Sequence, residues 1–186
     1  MNLNINNNRK SVKYSKIELM KRFLWGFAVF FFRYSPRTFF KWRIFLLKLF
    51  GAKIGKHVHI YNTAEIYMPW NLEIGDWSAI GEKCLIYNLG KIVIGQKVTI
   101  SHKAHLCAGS HEYTYPNLPL LKLPIKINDN VWICSDAFIG PNTTIGEGSV
   151  IGACSAVFKD VAPWTVVGGN PARYIKDREM ILTKGI

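Results

Sequence analysis

The stretch INDNVW ICSDAF IGPNTT IGEGSV IGACSA VFKDVA, residues 127–162, repeats every six residues. Each hexad begins with an aliphatic residue, often followed by Gly, and usually has a small or β-branched residue at its fifth position. One hexad supplies a short strand and a corner, so three hexads make a triangular coil whose aliphatic leaders share one core. The stretch therefore predicts a solenoid of stacked parallel strands.

The same period begins much earlier in the chain, at Ile54. Aliphatic leaders stand at fifteen positions: 54, 60, 66, 74, 80, 86, 94, 100, 106, 127, 133, 139, 145, 151 and 157. The pairs Leu72-Glu73 and Ile92-Val93 lengthen the first two coils by two residues each. We expect the Gly after a leader to support a sharp corner, because Gly adopts positive φ without a Cβ clash.

Residues 112–126 interrupt the repeat after its third coil. This segment contains Pro116, Pro119 and Pro124. Proline cannot donate to a strand ladder. The sequence therefore predicts a protruding loop over 112–126.

The positive charge of the chain is confined to its first part. The 186 residues include 24 Lys+Arg and 12 Asp+Glu, a net charge of +12. Residues 1–56 hold 13 basic residues and one acidic residue, whereas residues 57–186 hold 11 of each. The hydrophobic fraction of 49% excludes a largely disordered chain. No groove-reading or base-stacking motif accompanies the charge, so nucleic acid is not expected as a partner.

The composition and apolar spacing of residues 1–50 predict a basic, aromatic-rich helical leader. Residues 1–11 are polar and Asn-rich, which indicates a mobile tail. Pro36 separates two helical segments. The first carries a helical stripe of Ile17, Met20, Leu24, Phe27 and Phe31, and the second has Phe40, Ile44 and Leu47 on one face.

The apolar run of the leader, Phe23–Phe32, has ten residues, whereas a membrane span needs about 20. Arg33-Tyr34 follows it where a signal peptide would have a small-residue cleavage site. Two interpretations stay open for residues 14–50. The helices either cap the coil or a neighbouring subunit, or they also contact an anionic membrane.

Residues 131–173, VWICSDAFIGPNTTIGEGSVIGACSAVFKDVAPWTVVGGNPAR, resemble the C-terminal signature of the hexapeptide-repeat acyltransferases. GSHEY and IYNLGK are most similar to the acetyltransferases of colanic acid and exopolysaccharide clusters. The resemblance implies a mainly β fold, with a left-handed parallel β-helix over 51–172 and a homotrimer. We also expect a short C-terminal helix at about 174–182, within a tail of residues 173–186.

The resemblance further implies transfer of acetyl from acetyl-CoA to a sugar hydroxyl used in surface polysaccharide, without an acyl-enzyme. Such an enzyme would be cytoplasmic, with peripheral contact at the inner face of the plasma membrane as an added expectation. Three alternatives stay open: an acetyltransferase of small molecules such as an antibiotic or serine, a γ-carbonic-anhydrase-like metalloprotein, and a structural β-helix.

His111 is the expected general base, since the catalytic His of the family closes the hexad before the protruding loop. The unperturbed pKa of His lies near the working pH, which suits that role. Glu112 follows His111 directly in the sequence. Adjacent side chains of an extended strand point apart, so Glu112 is not expected to orient the His111 ring. No metal is expected, because His105 and His111 are six residues apart and so stand on successive sides of the coil.

The family signature also implies residues that contact the donor and the acceptor. The predicted contacts to acetyl-CoA are Ser135, Ala153, Phe158, Lys159, Arg173 and Lys176. Asn88 and Trp132 are predicted to contact the acceptor, with a purely structural role equally open for each. Cys134 and Phe158 replace the usual Gly and Thr of the signature, which affects the detailed donor contacts.

Overall fold

Three parallel sheets form the faces of a solenoid, and the computed structural model describes residues 3–181. The first face consists of β1 (Lys53–Ile54), β4 (Leu72–Ile74), β7 (Ile92–Ile94), β12 (Ile125–Ile127) and β15 (Thr143–Ile145). The second consists of β2 (His59–Ile60), β5 (Ala79–Ile80), β8 (Thr99–Ile100), β13 (Trp132–Ile133), β16 (Val150–Ile151) and β18 (Thr165–Gly168), to which β19 (Arg173–Asp177) is added antiparallel. The third consists of β3 (Glu65–Ile66), β6 (Leu85–Tyr87), β9 (His105–Cys107), β14 (Phe138–Ile139) and β17 (Ala156–Val157).

The core of the solenoid is a set of aliphatic ladders. On the first face Ile54, Ile74, Ile94, Ile127 and Ile145 stand in register one above another. All fifteen predicted leaders are buried, none more than 7% exposed. The inserted pairs lengthen β4 and β7 on this same face. The predicted parallel β-helix is therefore confirmed, and each coil buries the apolar ladder of its neighbour.

The glycines after the leaders serve a purpose other than the expected one. Positive φ falls instead on the third residue after a leader, as at Lys97 and Asn130. Gly75 has no positive φ, and a Cβ built on it would lie 2.6 Å from the carbonyl carbon of Gly95 in the next coil. The expected role in φ was wrong, because what Gly provides at this position is room for close stacking of coils.

The protruding loop lies between the third and first faces and is shorter at its end than predicted. It contains a two-stranded antiparallel pair, β10 (Ser110–His111) and β11 (Leu120–Leu121). Residues 125–126, assigned to the loop from sequence, belong to β12 and pair with both neighbouring coils. The chain rejoins the coil there because Ile125 is buried in the core.

The leader folds as three helices, α1 (Ile5–Lys10), α2 (Lys16–Arg33) and α3 (Phe40–Leu49). The predicted mobile tail at residues 1–11 was wrong where the structure describes it, since α1 is ordered against the protruding loop. Helix α2 starts at a capping box formed by Ser15 and Glu18. Within residues 3–181 no helix is both long and apolar enough to cross a bilayer.

Helix α2 packs on the coil through a different stripe from the one predicted. Trp25 and Phe32 are buried, and Nε1 of Trp25 donates to the carbonyl oxygen of Ile66 at 2.8 Å. The stripe seen in sequence is the exposed face of the helix, where Phe27 is 63% exposed. The solenoid therefore leaves one broad apolar face of α2 uncovered.

Helix α3 contacts the coil through the predicted face, where Leu47 is fully buried. Beside it, Arg43 is also fully buried, which lowers the pKa of its guanidinium. Its three nitrogens donate to the carbonyl oxygens of Ile60, Pro36 and Arg37 and to Oγ of Ser35. Arg43 therefore fixes the α2–α3 turn to the second face of the coil.

The predicted C-terminal helix was wrong in the described part of its range. Residues 173–177 form β19, and residues 178–181 have no regular structure; residue 182 lies outside the described residues. The second face would otherwise end in the open edge of β18, and β19 covers that edge. Nη1 of Arg178 then donates to the carbonyl oxygens of Asn130 and Gly148.

Candidate active site

His111 stands at the base of the protruding loop, with its side chain exposed to solvent. The antiparallel pairing of His111 with Leu120 brings the far side of the loop next to the imidazole. Nδ1 of His111 lies 2.7 Å from the carbonyl oxygen of Leu118. Leu118 has a φ of +42°, a left-handed conformation that is disfavoured for residues other than Gly, Asn and Asp.

The partner of Nδ1 decides the tautomer of the ring. A carbonyl oxygen only accepts hydrogen bonds, so Nδ1 of His111 carries the proton. Nε2 of the neutral ring then has a lone pair available to take a proton from a substrate hydroxyl. Leu118 thus orients the candidate base, and nothing in the sequence indicated its left-handed backbone.

Glu112 takes no part in this arrangement. Its Oε1 accepts hydrogen bonds from the hydroxyl and the amide of Thr114, at 2.6 and 3.2 Å. These bonds lower the pKa of its carboxyl. The expectation that Glu112 and His111 point apart agrees with these contacts.

Two predicted donor residues and one predicted acceptor residue lie near the corner between the second and third faces. Ser135 and Ala153 occupy equivalent positions of successive coils there, and Oγ of Ser135 is 3.1 Å from Nδ1 of His102. Trp132 is 46% exposed on the second face, and its Nε1 donates to Oγ of Ser101 at 3.0 Å. His102 was given no role from sequence, because its contact with Ser135 joins residues from two coils.

Three other predicted donor residues line one pocket at the C-terminal end of the solenoid. Phe158, Lys159 and Arg173 contribute to this pocket, whose volume is about 400 Å³. All three are exposed, so their side chains are accessible to a ligand. Lys176 lies further along β19, opposite Val166.

The structure gives Asn88 a structural role. Its side chain is fully buried, its Oδ1 accepts from the amide of Met68, and its Nδ2 donates to the carbonyl oxygen of the same residue. Both ends of the amide are therefore used within the coil. Of the two roles left open from sequence, these contacts favour the structural one over contact with the acceptor.

His111 and Trp132 face different directions on one chain. His111 projects from the corner between the third and first faces, whereas Trp132 lies on the second face, which is opposite that corner. One chain alone does not bring the two residues into a single site.

No metal centre emerges from the described residues, and the buried Cys84 is not an activated nucleophile. Residues 3–181 contain no group of three or more His, Cys, Asp or Glu placed to hold a metal ion. His105 packs edge-on against Phe138 on the third face, where burial lowers its pKa. Burial raises the pKa of the Cys84 thiol to about 11, so it is not activated as a nucleophile.

Comparisons with known proteins agree with this architecture. A family model described as bacterial transferase hexapeptide (six repeats) matches residues 124–159. A putative colanic acid biosynthesis acetyltransferase, WcaF, of Escherichia coli strain K12 is 42% identical over 154 residues, which is 83% of this chain and 85% of the relative. Galactoside O-acetyltransferase of Escherichia coli strain K12 is 32% identical over 71% of this chain and 66% of its own length.

A solved structure extends the likeness to three dimensions. The hexapeptide-repeat acetyltransferase VCA0836 of Vibrio cholerae O1 biovar eltor, complexed with acetyl coenzyme A, has a TM-score of 0.82 and 25% identity. The alignment covers 91% of this chain and 93% of that one. With its hexad ladders, its protruding loop and a relative 42% identical over most of its length, this chain belongs to the hexapeptide-repeat acetyltransferases.

Proposed function

We propose that this protein transfers an acetyl group from acetyl-CoA to a hydroxyl of a sugar used in surface polysaccharide, with His111 as general base. The observation that carries the proposal is the anchored imidazole, whose Nδ1 is held by Leu118 and whose Nε2 is free to accept a proton. The colanic acid and galactoside named for two relatives support a sugar acceptor. The acetyl coenzyme A in the VCA0836 complex supports the donor.

The proposed reaction needs one base and no covalent enzyme intermediate. Nε2 of His111 takes the proton of the sugar hydroxyl while the hydroxyl oxygen attacks the thioester carbonyl carbon. Backbone N–H groups stabilise the oxyanion of the tetrahedral intermediate. As the C–S bond breaks, the departing thiolate takes the proton from His111, which leaves an O-acetyl sugar, free coenzyme A and neutral His111.

Replacing His111 tests the base. We expect His111→Ala to lower kcat at least about 10²-fold, because no other group would remove the hydroxyl proton. Thiol release from acetyl-CoA with a sugar acceptor is the measurement, and His57→Ala, whose ring stacks on Trp77, is the matched control. Unimpaired turnover in folded His111→Ala would overturn the proposal.

For the donor, we propose that the pocket of Phe158, Lys159 and Arg173 receives the nucleotide end of acetyl-CoA. Two cations beside an aromatic ring suit phosphates and an adenine. Ser135 and Ala153 would lie along the pantetheine arm. Because Ser135 and Ala153 lie at a different corner of the coil from His111, we propose that the complete site forms between subunits of a homotrimer.

We also propose that the exposed face of α2 rests on an anionic membrane at the cytoplasmic side. Its apolar residues, Met20, Phe27 and Phe31 among them, are between 49 and 67% exposed. Lys16 at the start of α2 is exposed, as are Lys41 and Lys48 of the neighbouring α3. Aromatic faces bordered by lysines are typical of interfacial helices. This placement would bring the enzyme to lipid-linked glycans.

Charging this face tests the membrane contact. We expect the double substitution Phe27→Glu, Phe31→Glu to weaken binding to vesicles of 70% phosphatidylcholine and 30% phosphatidylglycerol about tenfold or more, since it removes apolar contact and adds repulsion. Flotation of the protein with the vesicles is the measurement. Ile181→Glu, an exposed apolar position outside the helices, is the control. If the double variant floats normally but loses its oligomeric state, the face packs between subunits instead.

A further inference from the structure

The first helix of the leader contacts the loop that holds His111. Asn8 is the buried residue of α1, with 9% of its surface exposed. Its Nδ2 donates to the carbonyl oxygens of Asn117 and Leu118, at 2.7 and 2.5 Å. The amide of Asn4 also donates to the carbonyl oxygen of Pro116, at 2.7 Å. Helix α1 and its N-cap residue Asn4 therefore bind three consecutive carbonyl groups of the loop.

The orientation of the Asn8 amide is fixed by its surroundings. Both loop partners are carbonyl oxygens, so the group that faces them must be the donor Nδ2. On the other side, Nζ of Lys13 donates to Oδ1 of Asn8 at 2.6 Å. Both ends of the side chain are thus engaged, and Asn8 cannot be exchanged for an acceptor-only residue without losing the contact with the loop.

The carbonyl oxygen of Leu118 receives two donors, Nδ2 of Asn8 and Nδ1 of His111. Two donors are what its two lone pairs accommodate. Leu118 itself is held in a left-handed conformation, which persists in a residue with a side chain only where its surroundings impose it. Asn8 supplies such a constraint on the very group that orients the imidazole.

We propose that Asn8 is a positioning residue for the acyl-transfer site, and this rests on the proposed role of His111 as base. By fixing the peptide of Leu118, Asn8 keeps the proton of His111 on Nδ1 and leaves Nε2 unprotonated toward the acceptor hydroxyl. The leader then takes part in catalysis through α1, and small displacements of a base lower turnover steeply.

The test uses the full-length protein with Asn8→Asp and Asn8→Ala. Asn8→Asp keeps the shape and the acceptor for Lys13 but loses both donors. We expect each variant to lower kcat about tenfold or more with KM for acetyl-CoA unchanged. Nitrogen NMR of ¹⁵N-histidine-labelled protein reports the tautomer of His111, which should shift from the Nδ1–H toward the Nε2–H form. Asn6→Ala, an exposed neighbour on α1, is the matched control.

The outcomes separate this proposal from the function on which it rests. A fall in kcat together with a change of tautomer supports the positioning role. Suppose that His111→Ala inactivates the enzyme. A fall in kcat of the Asn8 variants without a change of tautomer, or a change of tautomer without a fall in kcat, then overturns that role. If His111→Ala itself retains turnover, the proposed function fails instead, whatever the Asn8 variants do.

Discussion

At the scale of single residues, the close stacking of coils explains the glycine pattern of the repeat. At Gly75 a Cβ would meet backbone atoms of the next coil at 2.6 to 2.7 Å, and backbone cannot move aside as a flexible side chain can. Gly26, in the exposed middle of α2, has nothing within 4 Å of its hypothetical Cβ. Glycine is therefore required by close backbone contacts at position 75 in the coil, whereas no such contact requires it at position 26 in the helix.

We expect Gly75→Ala to lower the free energy of unfolding by about 1–3 kcal/mol, because the methyl group forces neighbouring coils apart. Gly26→Ala should raise it by about 0.5–1 kcal/mol, since Ala favours a helix interior over Gly. Urea unfolding of both variants gives the comparison. Equal effects of the two substitutions would contradict the steric argument.

At the scale of elements, the C-terminal segment shows how an open edge overrides local sequence. The residues YIKDREM suit a helix by composition, yet β18 offers unpaired backbone groups that Arg173–Asp177 satisfies as a strand. The returning chain also brings Arg173 beside Phe158 and Lys159 of the preceding coil. A helix at the same place would not be paired with β18, so this pocket depends on β19.

We expect Lys159→Ala combined with Arg173→Ala to raise KM for acetyl-CoA about tenfold, because two cations that would contact its phosphates are lost. KM for S-acetylpantetheine, which has no nucleotide, should not change. Steady-state kinetics with both donors is the measurement, and Lys126→Ala on the first face is the control. An equal rise of KM for both donors would contradict contact between these two cations and the nucleotide of acetyl-CoA.

At the scale of the whole molecule, the triangular section separates the candidate residues. A side chain on the second face points away from the opposite corner, where His111 stands. Only a neighbouring chain can bring an equivalent of Trp132 to that corner. Cyclic assembly of solenoids places different faces of neighbouring subunits against each other, as the proposed homotrimer requires.

We expect co-expressed His111→Ala and Trp132→Ala chains to regain activity that neither variant has alone. In a mixed trimer, about one third of the sites would combine an intact His111 and an intact Trp132 from different chains. The two variants carry different tags, and the turnover of oligomers purified through both tags is the measurement. Oligomers assembled from two differently tagged copies of the His111→Ala chain are the control. No recovery in the mixed oligomers would contradict a shared site.

The sequence by itself determined the coil, and its resemblance to the family predicted His111 as the candidate base. The six-residue period is a local signal, because every leader must reach the same core, and all fifteen are buried. Pro116 and Pro119 likewise predicted the loop beside His111, since proline cannot extend a ladder.

Tertiary structure alone decided what surrounds that base. The helical stripe of α2 predicted an apolar face correctly but not its direction, because Trp25 and Phe32 fit the coil and the stripe does not. The docking of Asn8 on Leu118 joins residues 110 positions apart. Periodicity shows which side chains enter a core, whereas a polar contact between distant segments depends on the particular geometry that brings one donor to one carbonyl.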